Sequence, residues 1–525
     1  MRRYSPILTL AIAQAAGFLM LVGFTRVGFQ IHRYYLLTVV ALFAVGFLCC
    51  LKRPDLRYIL AAICPVLPRL GSILTPLPTH AILYPWFMGL TAALAIRVAR
   101  GDLFASRPIA RPRVPVLTLL LLGWIIANVL RTGIDLYELQ SAETLFPLRD
   151  LEAAPGVSSH YAMYLALLLG LNLFGPVLFL VSDQMYRQMP EGARETPESD
   201  VIAGFAIAGA CHLGAFFLEA AGLERLSLGA GDHAESVGRL PGLVTDSGAA
   251  SQLTPILGLA LLLFCQNHMQ TGSERARLFA KIGALLTVLT LLIVSRWLGR
   301  AYLLTLGFAL LVFLFCLFWQ VRTRIRFRAR VLPALLSAVL VVPGTIFLLL
   351  EFVPSAARLA TELQHFFSAL DQEGLAAFAR IDPQRAWHFG FGLQMLSEAP
   401  WTGHGLNQFQ VELTRFRALQ PEMLIDNPPI LFLGMAVDAG LIGLLPSILL
   451  PAIMGFSQPA GRRTLWPLAL ALAPGMLIGY HVIFAEYCAT LFFCFCLREP
   501  ENGPQRIVGI AGLVLIGAWT ALWWF

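Results

Sequence analysis

Charge is what this sequence has least of. Asp, Glu, Lys and Arg make up 13% of its 525 residues while 58% are hydrophobic; an ordinary soluble domain carries about 25% charged residues. So little polar surface cannot cover a water-soluble globule of this size, and that class is excluded. A spaced cysteine framework is missing too. All nine cysteines, Cys49 to Cys496, fall in apolar stretches and read as small packing residues, which excludes a disulfide-stapled scaffold. No Cys/His spacing resembles a zinc site. No soluble basic domain accompanies the net charge of +7, so nucleic acid is excluded as a partner and the basic residues are assigned to membrane orientation. Internal repeats and low-complexity tracts are absent. No small-residue cleavage site closes the apolar run after Met1–Tyr4, and an uncleaved first helix is expected there.

What is there in abundance is apolar runs near the ~20 residues that cross a bilayer. They lie at 6–24, 35–51, 58–74, 80–96, 115–130, 160–182, 201–223, 249–266, 282–295, 301–321, 331–352, 428–455, 464–481, 485–497 and 507–525. The expected fold is an all-α integral membrane protein with about 14 (13–15) transmembrane helices. Residues 1–352 are read as spans with short loops, 353–427 as one large outer loop containing short helices, and 428–525 as the C-terminal spans.

Arginine counts orient the chain. Arg2 and Arg3, then Lys52, Arg53 and Arg57, then the arginines of 97–113 and of 322–330 fall on alternate loops that should be cytoplasmic, as should the N-terminus. The acidic stretch Asp183 to Asp200 is read as another inner loop, and acidic residues count little in that rule. Three non-helical segments then gather on the outer face: "ERLSLGAGDHAESVGRLPGLVTDSG" (224–248), "SRWLGR" (295–300) and the long loop 352–427. Each holds arginines on the side where arginine is least expected. In the long loop, Leu359, Leu363, Phe366, Phe367 and Leu370 recur at helical spacing opposite Arg358, Glu362 and Asp371, which predicts an amphipathic helix on the membrane surface. A second helix is expected after Pro383, with Arg385, Phe389 and Gly392 on one face and His388 a turn from Arg385. Pro400, Gly403 and Gly405 then break it.

Arg385 with Trp387 two residues later, a helix, and "EAPWTGHGLNQF" together resemble the signature of the O-antigen ligase and O-antigen polymerase superfamily. "RLPGLVTDSGAA", "SRWLGRAYL" and "DNPPILFLGMAVDAGLIGLL" resemble three further segments of that family, in the right order, between Arg239 and Leu445. Ser247 and Gly248 replace the family's usual Pro-Asn. Asp426 stands where the ligases have a histidine, and Asp438 where an acidic residue is common. The resemblance implies a bacterial inner-membrane glycosyltransferase with a periplasmic active site, inverting and metal-independent; no D-x-D or clustered carboxylate pair occurs on an outer loop. The donor would be an undecaprenyl-diphosphate-linked glycan, the acceptor a glycan or lipid-linked hydroxyl, and no cofactor is expected. Polymerase is the first expectation because the ligase histidine is missing; ligation to lipid A core differs only in the acceptor.

The chemistry agrees with the residue types. The leaving lipid diphosphate is multiply anionic at a water-poor boundary, and the planar fork of arginine binds two of its oxygens at once. Arg296 and Arg385 are the catalytic candidates, and Arg239 and Arg300 the substrate-binding ones. Arg69, on a proline-broken segment, joins them as a cavity residue or is a snorkelling charge. The base is Asp426, His388 or His404. Asp426, directly before Asn427-Pro428, serves equally well as a helix N-cap. His404 and Asn407 of the glycine-rich motif are assigned to substrate binding. A transporter of lipid-linked glycans would also show many spans and cavity arginines. It would need repeated hydropathy halves and charges at mid-membrane, whereas the charges here crowd one face.

Overall fold

The computed structural model describes residues 8, 11–19, 33–67, 83–104, 116–141, 159–189, 197–221, 243, 247–298, 300–324, 357, 361, 364–365, 368, 383–406, 408–409, 430–456, 465–478 and 485–497. Among these the structure is all-helical, with no strand. The helices are α1 (Arg33–Lys52), α2 (Arg57–Ala62), α3 (Leu83–Phe104), α4 (Val116–Ser141), α5 (Ser159–Tyr186), α6 (Pro197–Ala220), α7 (Ser247–Thr271), α8 (Glu274–Val294), α9 (Arg300–Arg324), α10 (Pro383–Glu398), α11 (Leu431–Phe456), α12 (Trp466–Ala471), α13 (Ala473–Ile478) and α14 (Ala485–Cys496). Within α4, α6, α7, α8 and α11 lie five stretches long and apolar enough to cross a membrane.

Two expected spans are not single helices. Over its described residues 58–67, the 58–74 run is α2 followed by a 3-10 turn over Cys64–Val66, because Pro65 has no N–H to continue the ladder. Over its described residues 465–478, the 464–481 run divides at Leu472 into α12 and α13, just before Pro474. The acidic stretch from Asp183 to Asp200 is also corrected: Asp183 belongs to the last turn of α5 and Asp200 to the first turn of α6. The runs 331–352 and 507–525 lie outside the described residues. Of the expected surface helix, Ala357, Thr361, Gln364, His365 and Ser368 are helical and exposed; its apolar positions are outside the described set.

The chain forms two compact units. The first comprises 1–204, 388–464 and 476–525. Here α1 packs on α3, α3 and α4 on α5, and α11 and α14 close the group. Glycine allows the α1–α3 approach: a Cβ at Gly89 would lie 2.3 Å from the Phe43 carbonyl oxygen. Small residues let helix backbones meet in this way where lipid removes the hydrophobic driving force. Phe87, Phe179 and Phe493 join α3, α5 and α14, with ring centroids 5.8–6.2 Å apart.

A buried charge cluster ties this unit together. Arg57 Nε donates to Asp183 Oδ1 at 2.6 Å, Tyr58 Oη donates to Oδ2 at 2.9 Å, and Arg187 Nε pairs with Oδ2 at 3.0 Å. The side chains of Arg57 and Asp183 are fully buried. The Arg57 guanidinium also lies over the Tyr58 and Tyr186 rings, at 4.3 and 4.9 Å. One carboxylate thus holds two cations, and buried Glu198 adds a further negative charge to the field at Arg187. Just outside the cluster, on an exposed turn, Arg53 bonds Asp55 and holds its carboxyl below the usual carboxylate range.

The second unit comprises 205–387 and 465–475. Its centre is α7, against which α8, α9 and α12 pack. Gly272 and Ser273 turn α7 into α8, with Ser273 Oγ capping α8 by accepting from the Ala276 N–H. Tyr302 Oη donates to the Leu291 carbonyl at 2.6 Å, fastening α9 to α8. The outward residues of α8 are apolar: Leu278, Phe279, Leu285, Leu286, Leu289 and Ile293 are all exposed. In water each would forgo roughly 1.5–3 kcal/mol of burial; hydrocarbon removes that penalty.

Candidate functional site

The glycine-rich motif of the first unit is built into a helix rather than left as a solvated loop. In α11 the chain breaks at Gly440, whose φ of 70° and ψ of 179° are a conformation essentially reserved for glycine. The break frees two carbonyls and two amides of α11, and the motif takes up all four. His404 N–H donates to Val437 O at 2.7 Å and Gly405 N–H to Asp438 O at 2.8 Å. In return, Leu441 N–H donates to Pro400 O at 2.8 Å and Ile442 N–H to Trp401 O at 3.3 Å. Backbones must nearly touch for this exchange. A Cβ at Gly403, itself at φ 70°, would meet Gly440 N at 2.4 Å, and one at Gly440 would meet Trp401 C and O at 2.2 Å.

From the other side α4 clasps the same loop. Arg131 is 5% exposed and donates from Nη1 to Thr402 O and from Nη2 to Gly403 O, the latter at 2.6 Å. Thr132 Oγ1 accepts from Leu406 N–H at 2.8 Å. Buried irregular backbone is tolerated at membrane depth when other protein groups satisfy it, and this loop meets that condition. Beneath it lies a cavity of about 70 Å³ lined by Trp124, Asn128, Leu406, Asp438, Ser447 and Phe492, among others. Asn128 Nδ2 donates to Trp124 O, and Asp438 is 2% exposed.

The loop fixes one histidine in a usable form. His404 is half-buried, and its Nε2 lies 2.7 Å from the Met395 carbonyl. A carbonyl only accepts, so Nε2 carries the proton. Nδ1 is then the ring's acceptor in the neutral state. His388 is fully buried, with its ring 6.3 Å from that of Phe409. It is a core residue of the α10–motif junction. Gly392 on the same helix packs against Leu433, where a Cβ would come within 2.8 Å.

In the second unit, Arg296 is exposed on the turn that follows α8, and Ser295 is buried with its Oγ donating to Leu292 O at 2.5 Å. Arg300 is the first residue of α9. Arg385 is half-buried near the start of α10. Leu243 of "RLPGLV" is buried, and its N–H donates to His212 Nδ1 at 3.0 Å. The candidates Arg69, Arg239, Asn407 and Asp426 lie outside the described residues. The structure therefore brings His404 and His388 into one neighbourhood around α10 and the α11 break.

Arg131 of the first unit and His212 of the second were not among the sequence candidates, and Asp438 was noted only as a position where an acidic residue is common. Arg131 follows directly on an apolar run, so as sequence it is indistinguishable from a boundary charge. His212 sits inside the apolar run of α6, where a single histidine gives no pattern. Asp438 carried a signal, an acidic residue in an apolar helix, which is costly unless compensated. Comparison with protein-family models and with curated proteins finds no match.

Proposed function

We propose that this chain is a multi-pass inner-membrane glycosyltransferase of about 14 spans, with its active site on the periplasmic face. It would extend a glycan by transfer from an undecaprenyl diphosphate donor, acting as a polymerase. The observation that carries this reading is the motif "EAPWTGHGLNQF" locked into the break of α11. Such a device presents a small set of side chains at fixed positions within apolar helices, as a site at a membrane boundary requires. The motif resemblance and the exposed arginine of the Ser295–Arg296 turn support the same reading.

The reaction balances simply. The acceptor hydroxyl oxygen bonds to the anomeric carbon of the donor sugar as the bond from that carbon to the diphosphate oxygen breaks, inverting the centre. The hydroxyl proton passes to a base, and the electron pair leaves on the diphosphate. His404 suits the base: its Nε2–H is held by Met395 O and its Nδ1 accepts. The resemblance assigns the neutralisation of a departing diphosphate to Arg296, Arg300, Arg385 and Arg239, all residues of the second unit.

The test is the glycan profile of a strain lacking this chain. Single repeat units on the final acceptor, with long chains missing, is the expected result. Long glycans still on the lipid diphosphate would instead make it a ligase, and lipid-linked units trapped on the cytoplasmic face a transporter.

A further inference from the structure

We infer that the cavity beneath the glycine-rich motif is a binding site for a short aliphatic chain bearing a hydroxyl, held by a hydrogen bond to Asn128 Oδ1. Such a site goes beyond the proposed function, and all of its lining residues lie in the first unit. The wall is built from α4, α5, α11, α14 and the motif, and Leu121, Ile125, Leu173 and Phe492 make it largely apolar. Asn128 is its exception. The residue is 2% exposed, and its Nδ2 donates to Trp124 O at 2.9 Å. A carbonyl only accepts, so the end facing Trp124 O must be the nitrogen, which fixes the orientation of the amide. The other end, Oδ1, is buried and has no hydrogen-bond partner among the described residues.

That oxygen sets the chemistry of what fits. A buried acceptor left unmet carries a desolvation penalty, so an occupant that brings a donor gains what a purely apolar one does not. Two of the other polar wall groups satisfy each other: Trp124 Nε1 donates to Ser447 Oγ at 3.1 Å, and Ser447 Oγ donates on to Gly443 O at 2.9 Å. Asp438, also on the wall, has a carboxylate that accepts and so adds no competing donor. A water alone is a poor match, because it needs about two to four polar partners and most of the wall is apolar. A cation would lose its hydration against the same wall. The volume is about 70 Å³, roughly half that of an engineered apolar cavity which takes up benzene, and it suits a chain of about three or four heavy atoms. Leu406 brings the motif into the wall, so an occupant braces the loop that the α11 break holds.

Bromoethanol and bromopropane test the site, since they match in size and differ by a hydroxyl in place of a methyl. Bromine quenches indole emission on contact, and Trp124 on the wall reads occupancy; subtracting the response of Trp124→Phe removes the other tryptophans. The measurement is the ratio of the two dissociation constants on the detergent-purified full chain, because micelle partitioning of each probe cancels when variants are compared. Wild type should show saturable quenching by bromoethanol, and Asn128→Leu should shift the ratio about tenfold towards bromopropane. An unchanged ratio overturns the proposal, as does quenching of wild type that never saturates. Should Asn128→Leu fail to fold, Asn128→Ala carries the same expectation, because it also deletes the oxygen. Displacement of bromoethanol by dodecanol and not by dodecane identifies the occupant as the hydroxyl end of a lipid-length chain, and displacement by neither identifies a small free alcohol. Equal displacement by both overturns the hydroxyl requirement.

Discussion

Gly440 and Gly403 form a contact that no other residue type permits, because each has φ of 70° and each has its missing Cβ directed at the other's backbone neighbourhood. Gly440→Ala should destabilise the motif by about 3 kcal/mol or more, combining backbone strain with a steric clash. The check is labelling of a cysteine at Leu406, which is 7% exposed and is expected to react much faster in the variant as the loop leaves the break. The proton acceptor is settled by a pair of conservative changes. His404→Gln should lower transfer on the order of a hundredfold or more. Asp426→Asn should leave transfer nearly normal if Asp426 is not the base; the expected N-cap role is corrected, because α11 begins at Leu431, five residues on, and its first helical bond is accepted by Ile430 O. The reverse pattern would move the base to Asp426. Arg296→Lys should restore little of the transfer lost in Arg296→Ala, since a point charge does not reproduce the two-pronged contact with a diphosphate; near-normal transfer by the lysine variant would reduce Arg296 to a boundary charge. Only two of the chain's 38 basic residues, Lys52 and Lys281, are lysines. At this scale the glycines, His404 and Arg296 were legible as residues worth weighing. Their partners were not: nothing in "RTGIDL" announces that Arg131 grips carbonyls 271 residues away.

The elements were easier to read than their interruptions. An apolar run of the right length is a helix in any tertiary context, and α1, α4, α5, α6, α7, α9 and α11 stand close to where the runs lie. Proline explains the breaks after α2 and α12 once they are seen. The break in α11 has no such mark, because "DAGLIGLL" reads as an ordinary span with packing glycines. Its conformation is imposed by a loop that arrives earlier in sequence and supplies the missing hydrogen-bond partners. Asp183 was misread for a related reason: local sequence cannot separate a solvated acidic turn from a carboxylate enclosed by Arg57, Tyr58 and Arg187. Asp183→Asn should destabilise the first unit by roughly 3–5 kcal/mol, as it leaves the buried Arg57 and the half-buried Arg187 guanidinium groups short of their counter-charge. The midpoint of the purified protein should fall. A small change would show that water or Glu198 takes over the pairing.

For the molecule as a whole, the reading stands or falls on sidedness. Single cysteines placed in 97–113 and 322–330 should resist a membrane-impermeant thiol reagent added to intact cells, while sites in 370–420 should react. Reversal of either result would remove the periplasmic site, whatever the mutants do.

Order of synthesis adds a last consequence of the Arg131 clasp. When α4 leaves the ribosome, 271 residues must follow before Thr402, whose carbonyl Arg131 grips, exists. The α11 break cannot form until later still, because α11 begins at Leu431. Biogenesis must therefore carry a partly assembled chain in which Arg131 lacks the Thr402 and Gly403 carbonyls. Truncations ending before residue 400, which lack both carbonyls, should insert and then be cleared by membrane proteases, while Arg131→Met should leave the finished protein without its clasp and equally open to clearance.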